Sequence, residues 1–124
     1  MKSISISLTV PQLFEIRDIL MSAVSHHQHI FHRITYGELC VFQKSYFKII
    51  SKCNSKIHSR HKQGKRYKFS FNPTESEIIC KMLVLVSERV LLTTYAKITV
   101  QEFRQQSEQQ SESLKSNFLS QFYV

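Results

Sequence analysis

The stretch Ser3-Ile4-Ser5-Ile6-Ser7-Leu8-Thr9 alternates polar and apolar side chains at every position. Alternation of this kind is typical of a β-strand with one buried face, because successive side chains point to opposite sides of the strand. Lys68-Phe69-Ser70-Phe71-Asn72 alternates in the same way, about 64–65 positions further along the chain. One short strand is not stable alone, so the two stretches are predicted to pair with each other.

An apolar, helix-like run follows each of these strands. In the first copy Thr9 and Gln12 have the spacing of a capping box, in which side chains of the first turn satisfy unpaired backbone N–H groups. In the second copy the helix is predicted to start near Asn72/Thr74, where Thr74-Glu75-Ser76-Glu77 has the same spacing.

The similarity continues into a second helix in each copy. Ile34–Leu39 is echoed by Ile98–Phe103, which predicts that these helices begin at Thr35 and at Thr99. The fold class is therefore predicted to be α+β and mostly helical. It would consist of two strand-helix-helix repeats whose two-stranded antiparallel ribbon packs on four helices.

The predicted organisation has three parts: a first repeat over 1–58, a basic linker over 59–66, and a second repeat over 67–124. Within the second repeat, Arg104–Ser113 contains no apolar residue. The last helix is therefore predicted to be solvent-facing or frayed there, before the apolar segment Phe118–Phe122.

The formal net charge of +8 and the pI near 9.6 favour a polyanionic partner, nucleic acid before an anionic membrane surface. No acidic residue lies between Leu39 and Thr74, a span that holds nine of the seventeen Lys and Arg residues. One face of the predicted helix from Thr35 carries a lysine at every fourth position. This lysine column comprises Lys44, Lys48, Lys52 and Lys56. Either a solvated helix face or contact with an anion would account for it.

The composition argues against an enzyme. Two glycines and a single aspartate, Asp18, leave no phosphate-binding glycine loop and no paired aspartates for metal-assisted hydrolysis. The residues offer two alternatives: nucleophilic catalysis by Cys40 or Cys53 with a histidine, and metal binding by the histidine cluster of the first repeat. That cluster comprises His26, His27, His29 and His32. Neither is favoured, so no cofactor and no metal is expected.

Three cysteines without a CxxC motif suit a reducing compartment, and cytoplasmic localisation is predicted. No apolar run approaches the roughly 20 residues of a membrane helix, and no signal peptide is expected.

A strand followed by two helices, the second opening with [S/T]-x-x-E-[L/F], resembles the ribbon-helix-helix family of DNA-binding proteins. In that family two copies pair their strands into an antiparallel ribbon that enters the major groove. With both copies in one chain, the sequence is similar to tandem, single-chain members found among plasmid-transfer and repressor proteins. The resemblance covers residues 2–50 and, more loosely, 67–103.

The resemblance implies double-stranded DNA as the partner. The base-reading strand positions would be Ser3, Ser5, Ser7, Lys68, Ser70 and Asn72. Phosphate would bind the free amides that start the second helices, at Thr35-Tyr36 and Thr99-Val100. The lysine column, Arg60 and Arg66 would add general affinity. Because serine can bond to almost any base edge, weak sequence discrimination is predicted.

The predicted function is a non-catalytic DNA-binding accessory protein or transcriptional repressor of a bacterium, plasmid or phage. The alternative is a protein-interaction module, such as an inhibitor, antitoxin-like protein or assembly factor. Such a module would meet its partner through the ribbon or the apolar segment Phe118–Phe122. A third reading places the role in a homo-oligomer of this chain.

Overall fold

The computed structural model describes residues 3–26, 30–57 and 64–121, without the side chains of Asn117 and Phe118. The elements in chain order are β1 (Ile4–Thr9), α1 (Val10–Ser25), a short 3-10 turn (Phe31–Arg33), α2 (Tyr36–Ile57), β2 (Arg66–Phe71), α3 (Pro73–Ser87) and α4 (Thr94–Ser120). The described residues form four helices and one two-stranded sheet, an α+β fold that is mostly helical, which confirms the predicted class. Arg66, assigned from sequence to the linker, is the first residue of β2.

The two alternating stretches form one antiparallel ribbon, as predicted. Ile4 lies opposite Phe71, Ile6 opposite Phe69 and Leu8 opposite Tyr67. Ile4, Ile6, Leu8, Phe69 and Phe71 are buried on the inner face. Burying an apolar side chain of this size contributes on the order of 1.5–3 kcal/mol, so the inner face holds the ribbon on the helices.

Capping boxes start both helices that follow the strands. In α1, Gln12 N–H donates to Thr9 Oγ1 (3.3 Å) and Thr9 N–H donates to Gln12 Oε1 (3.0 Å), as predicted. In α3 the capping residue is Asn72 with Glu75, so the expected pairing of Thr74 with Glu77 is wrong. Pro73 can occupy the first turn of α3 because its missing N–H would have no helical partner there.

The start of α2 is confirmed by a third reciprocal pair. Thr35 N–H donates to Glu38 Oε1 (2.9 Å), and Glu38 N–H donates to Thr35 Oγ1 (3.1 Å). The start predicted for the last helix is wrong, because α4 begins at Thr94 and Thr93 caps it by accepting from Ala96 N–H (3.1 Å). Thr99 is buried inside α4 and donates its hydroxyl to the carbonyl of Tyr95.

The apolar stripe of α4 explains its earlier start. Ala96, Val100 and Phe103 are buried at helical spacing, and the ring of Phe103 lies 6.0 Å from that of Phe71. The helix continues through the stretch without apolar residues, where Ser107 is buried beside Ser76. Arg104–Ser113 is therefore helical, with one side packed on α3.

The spacing between the two halves differs from the predicted 64–65 positions. The capping residues Thr9 and Asn72 are 63 positions apart, whereas Thr35 and Thr93 are 58 apart. Helix α1 packs on α2, α3 and α4, helix α3 packs on α2 and α4, and α4 also runs along β1. One hydrophobic cluster joins residues of both halves, so neither half has a core of its own.

Candidate nucleic-acid interface

The outer face of the ribbon brings together most of the strand residues predicted to read bases. Ser5 lies opposite Ser70 and Ser7 opposite Lys68. Lys68 and Ser70 are exposed and the two serines of β1 are half-buried, with Ser3 exposed just before the strand. No acidic residue occurs in either strand. The outer face is therefore small, polar and basic.

Asn72 does not share this role in the structure. Its side chain oxygen accepts from Glu75 N–H at 2.7 Å as the cap of α3. The side chain predicted to contact bases is thus used to cap a helix, although the residue is exposed.

Arg66 ties the two strands to α4. Its guanidinium donates to the hydroxyl of Ser7 (3.2 Å) and to the carbonyl of Ser7 (2.7 Å). It also forms an ion pair with Glu102 on α4 (3.1 Å). Gln12 donates to the same carboxylate oxygen of Glu102 at 2.9 Å. Arg66 therefore holds the edge of the outer face in place, and its charge is partly neutralised there.

Two glutamines of α4 close the free edge of β1. Gln110 donates to the carbonyl of Ser5 (2.6 Å) and accepts from Ser5 N–H (2.8 Å). Gln106 makes the same pair with Ser7, at 3.0 and 2.7 Å. We call Gln106 and Gln110 the glutamine clasp. Sequence reasoning missed it, and the only signal was two glutamines four positions apart within Arg104–Ser113, the stretch of α4 without apolar residues.

The lysine column lies beside β2. The ammonium of Lys48 lies 5.3 Å from the ring centroid of Phe71, that of Lys52 5.3 Å from Phe69, and that of Lys56 4.0 Å from Tyr67. We call these three the ring-stacked lysines. A cation over an aromatic face contributes about 0.5–1 kcal/mol at exposed sites, so the packing offsets part of their mutual repulsion.

The remaining member of the column differs from the other three. Lys44 is exposed, and no ion pair or ring contact of Lys44 is found among the described residues. Lys48 additionally pairs with Glu75 at 3.2 Å. Arg60 lies outside the described residues. Of the predicted cations, Lys44 and Lys68 are therefore those most available to an anion.

Of the two predicted phosphate clamps, one lies at the start of a helix and the other lies inside a helix. Thr35 and Tyr36 lie at the exposed start of α2, although the capping pair already engages the amides of Thr35 and Glu38. Thr99 and Val100 lie inside α4, where their amides belong to the helix, so a clamp at that position is wrong. Helix α4 presents its first amides near Thr94 instead.

The start of α2 borders a groove of about 540 Å³ between α2 and α3. Glu38 pairs there with Lys81 at 2.7 Å, and the hydrogen bond from the Lys81 ammonium lowers the pKa of Glu38. A phosphate at Thr35-Tyr36 would therefore lie near a charged carboxylate that Lys81 neutralises.

Three acidic side chains of α3 and α4 lie in a groove between these helices, whereas Glu75 and Glu102 lie beside β2 in ion pairs with Lys48 and Arg66. Glu77, Glu108 and Glu112 line a groove of about 640 Å³ between these helices, together with Cys80 and Lys115. This groove is therefore more acidic than the outer face of the ribbon, whose strands hold no acid.

The described residues hold no cluster of three or more histidines, cysteines or acids that could bind a metal. Two members of the histidine cluster, His27 and His29, lie outside them, and His26 is within 2.9 Å of the carbonyl of Ser22. No described helix combines the length and the apolarity needed to cross a bilayer.

The thiols differ in accessibility. Cys40 is exposed, whereas Cys53 is buried with its sulfur 3.9 Å from the carbonyl oxygen of Leu13. Burial raises the pKa of the Cys53 thiol and of the Cys80 thiol. Neither residue is therefore suited to act as a nucleophile, because the thiolate is the reactive form.

We expect a water-soluble disulfide reagent at neutral pH to label Cys40 in the fast phase, because Cys80 is half-buried and Cys53 is buried. Counting labelled thiols by mass spectrometry before and after unfolding in guanidinium checks this. The Cys40→Ser variant is the control, and it should lose the fast phase. Equal labelling rates at all three cysteines in the folded protein would contradict the burial of Cys53.

Comparison with protein-family models, with curated protein sequences and with solved structures found no match to this chain.

Proposed function

We propose that the protein is a non-catalytic DNA-binding accessory factor or repressor that contacts duplex DNA with its ribbon and the basic residues beside β2. The observation that supports this best is the outer ribbon face, which carries Lys68, Arg66 and three small hydroxyl side chains and no acid. A two-stranded ribbon fits the width of the major groove. We also infer that the two halves correspond to the tandem arrangement of the resembled family.

In this proposal the side chains divide into two roles. Lys44 and Lys68 contact phosphates and supply affinity that does not depend on sequence. The serines of the ribbon contact base edges, which gives weak discrimination because a hydroxyl can donate or accept. Two exposed helix starts, at Thr35-Tyr36 and at Thr94, face phosphates with the first-turn amides that the capping hydrogen bonds do not engage.

Binding of a short DNA duplex at rising salt tests the proposal. If about six cations contact phosphates, log K will fall against log[salt] with a slope of about −5. In the double variant Lys44→Ala/Lys68→Ala we expect the slope to be less steep by about 1.8, since each lost phosphate contact removes about 0.9. Fluorescence anisotropy with a labelled duplex measures both slopes.

The matched control is Lys115→Ala, which removes one exposed cation from the acidic α3–α4 groove. It should leave the slope unchanged. Absence of binding to any duplex at about 50 mM salt, where such contacts are strong, would refute the proposal. A change of slope in the control half as large as in the double variant, which loses twice the charge, would show that net charge alone, and not this surface, attracts DNA.

A protein-interaction role is the second candidate, and one observation favours it. The glutamine clasp forms hydrogen bonds with the outer edge of β1. Among the described residues, no side chain is found to form such bonds with the outer edge of β2. The C-terminal apolar segment gives less support, because the Phe118 side chain and Phe122 lie outside the described residues.

A further inference from the structure

The hydrogen bonds of β1 show which backbone groups of β2 point away from the ribbon. Ser5 and Ser7 direct both their N–H and C=O groups to the glutamine clasp. The N–H and C=O of one strand residue point to the same side, and the side alternates along the strand. Ile4, Ile6 and Leu8 therefore bond to β2, through the residues opposite them in the register.

The same alternation applies to β2. Tyr67, Phe69 and Phe71 face β1 with their backbone groups, so Lys68 and Ser70 direct theirs away from the ribbon. Within residues 3–26, 30–57 and 64–121, no hydrogen bond to these outward groups is found, and both residues are exposed. Such an edge is a template for another strand.

The ring-stacked lysines run beside this edge. Successive members of this set are four helical residues apart, a rise of about 6 Å. Alternate residues of a strand are about 6.6–6.8 Å apart. Because the two repeats are similar, one lysine lies at each of the rings of Tyr67, Phe69 and Phe71. A strand added to β2 would have the same repeat, so its alternate side chains on the inner side would meet these lysines in turn.

We propose that the β2 edge binds an extended acidic segment of a partner protein by strand addition, with carboxylates at alternate positions facing Lys48, Lys52 and Lys56. The carboxylate opposite Lys48 shares that ammonium with Glu75, which lies 3.2 Å from it. Backbone hydrogen bonds to Lys68 and Ser70 supply part of the affinity, and the lysines select the register and the charge pattern. A second copy of this chain fits poorly, because two β2 edges in contact would bring two sets of lysines together. The site goes beyond the proposed DNA contact, which uses the outer face of the ribbon.

Two peptides of identical composition test the charge pattern. One alternates Glu and Thr over about eight residues, the length of a strand, and the other has its Glu residues in one block. We expect the alternating peptide to bind at least about tenfold more tightly, since only it places carboxylates opposite successive lysines. Equal affinities in isothermal titration calorimetry would show a site for polyanions in general and would overturn the proposal.

The backbone contact has its own test. Ser70→Pro removes an outward N–H that bonds nothing in the described fold, and proline is accepted on strand edges. We expect Ser70→Pro to bind the alternating peptide about tenfold more weakly, because one hydrogen bond is lost and the proline ring crowds the added strand. Ser70→Ala should bind the peptide with normal affinity. Unchanged binding by a folded Ser70→Pro variant would overturn strand addition.

A version of the alternating peptide with N-methylated amides at every second position removes its own donors and leaves the protein unaltered. It should bind at least about tenfold more weakly when the methyl groups face β2. This measurement decides the question even if the proline variant does not fold. Failure of these peptide tests with intact duplex binding would refute strand addition alone, and leave the DNA proposal standing.

Discussion

Replacing Phe103 by alanine will lower the free energy of unfolding by about 3–5 kcal/mol, the usual cost of removing a buried aromatic side chain. Phe103 is 1% exposed and its ring lies 6.0 Å from that of Phe71 on the ribbon. The residue thus joins α4 to the inner face of β2, and the cavity left by alanine would lie between them. Urea unfolding monitored by circular dichroism measures the change.

The control for this prediction is Leu91→Ala, because Leu91 is 93% exposed in the loop before α4. Its unfolding free energy should change by less than about 0.5 kcal/mol, as for other surface substitutions. A Phe103→Ala protein as stable as the Leu91→Ala protein would mean that α4 does not pack on the ribbon as described.

Replacing both residues of the glutamine clasp by alanine will lower the free energy of unfolding by about 2–4 kcal/mol, because four hydrogen bonds of about 0.5–1.5 kcal/mol each are lost. Water can reach part of the strand edge after the substitution, which keeps the loss below the upper sum. The amide protons of Ser5 and Ser7 will exchange faster, since the side chains that bind them are gone. Hydrogen exchange followed by NMR reports these two amides separately.

The chain offers a matched control in Gln105 and Gln109, which lie on the exposed side of the same helix. The double variant Gln105→Ala/Gln109→Ala changes helix propensity as much as the clasp variant does, but removes no contact with β1. It should retain normal stability and slow exchange at Ser5 and Ser7. If both double variants exchange equally at these positions, the clasp does not protect the strand edge.

The parts of the fold that depend on local patterns were predictable from sequence. Strict alternation located β1 and β2, and the spacing of Thr9 with Gln12 and of Thr35 with Glu38 located the starts of α1 and α2. In each case the physical cause lies within a few residues of the effect, because a strand repeats every second residue and a cap spans three.

The start of α4 was not predictable by the same means. Thr93 and Thr99 are both acceptable capping residues, and only the burial of Val100 and Phe103 against the rest of the core selects the earlier one. Tertiary packing therefore decides between two locally equivalent starts. The same holds at α3, where Asn72 and Thr74 compete and the strand that ends at Phe71 leaves Asn72 in the extended conformation of a cap.

The candidate site was predictable only in outline. The sequence identified the lysine column and the strand faces, but not that the column stacks on the rings of β2, since no local pattern tells which helix lies beside which strand. The glutamine clasp joins residues about 100 positions apart, and an amide side chain that pairs with a distant backbone has no sequence signature.

The glutamine clasp also has a consequence for biosynthesis. Gln110 is translated 105 residues after Ser5, its hydrogen-bond partner. Strand β2 and both glutamines must therefore be translated before β1 has partners on its two sides, so its hydrogen-bond groups stay uncovered until α4 has been made. Nascent chains that stall before α4 is made will be the ones that chaperones bind and that aggregate through this first strand.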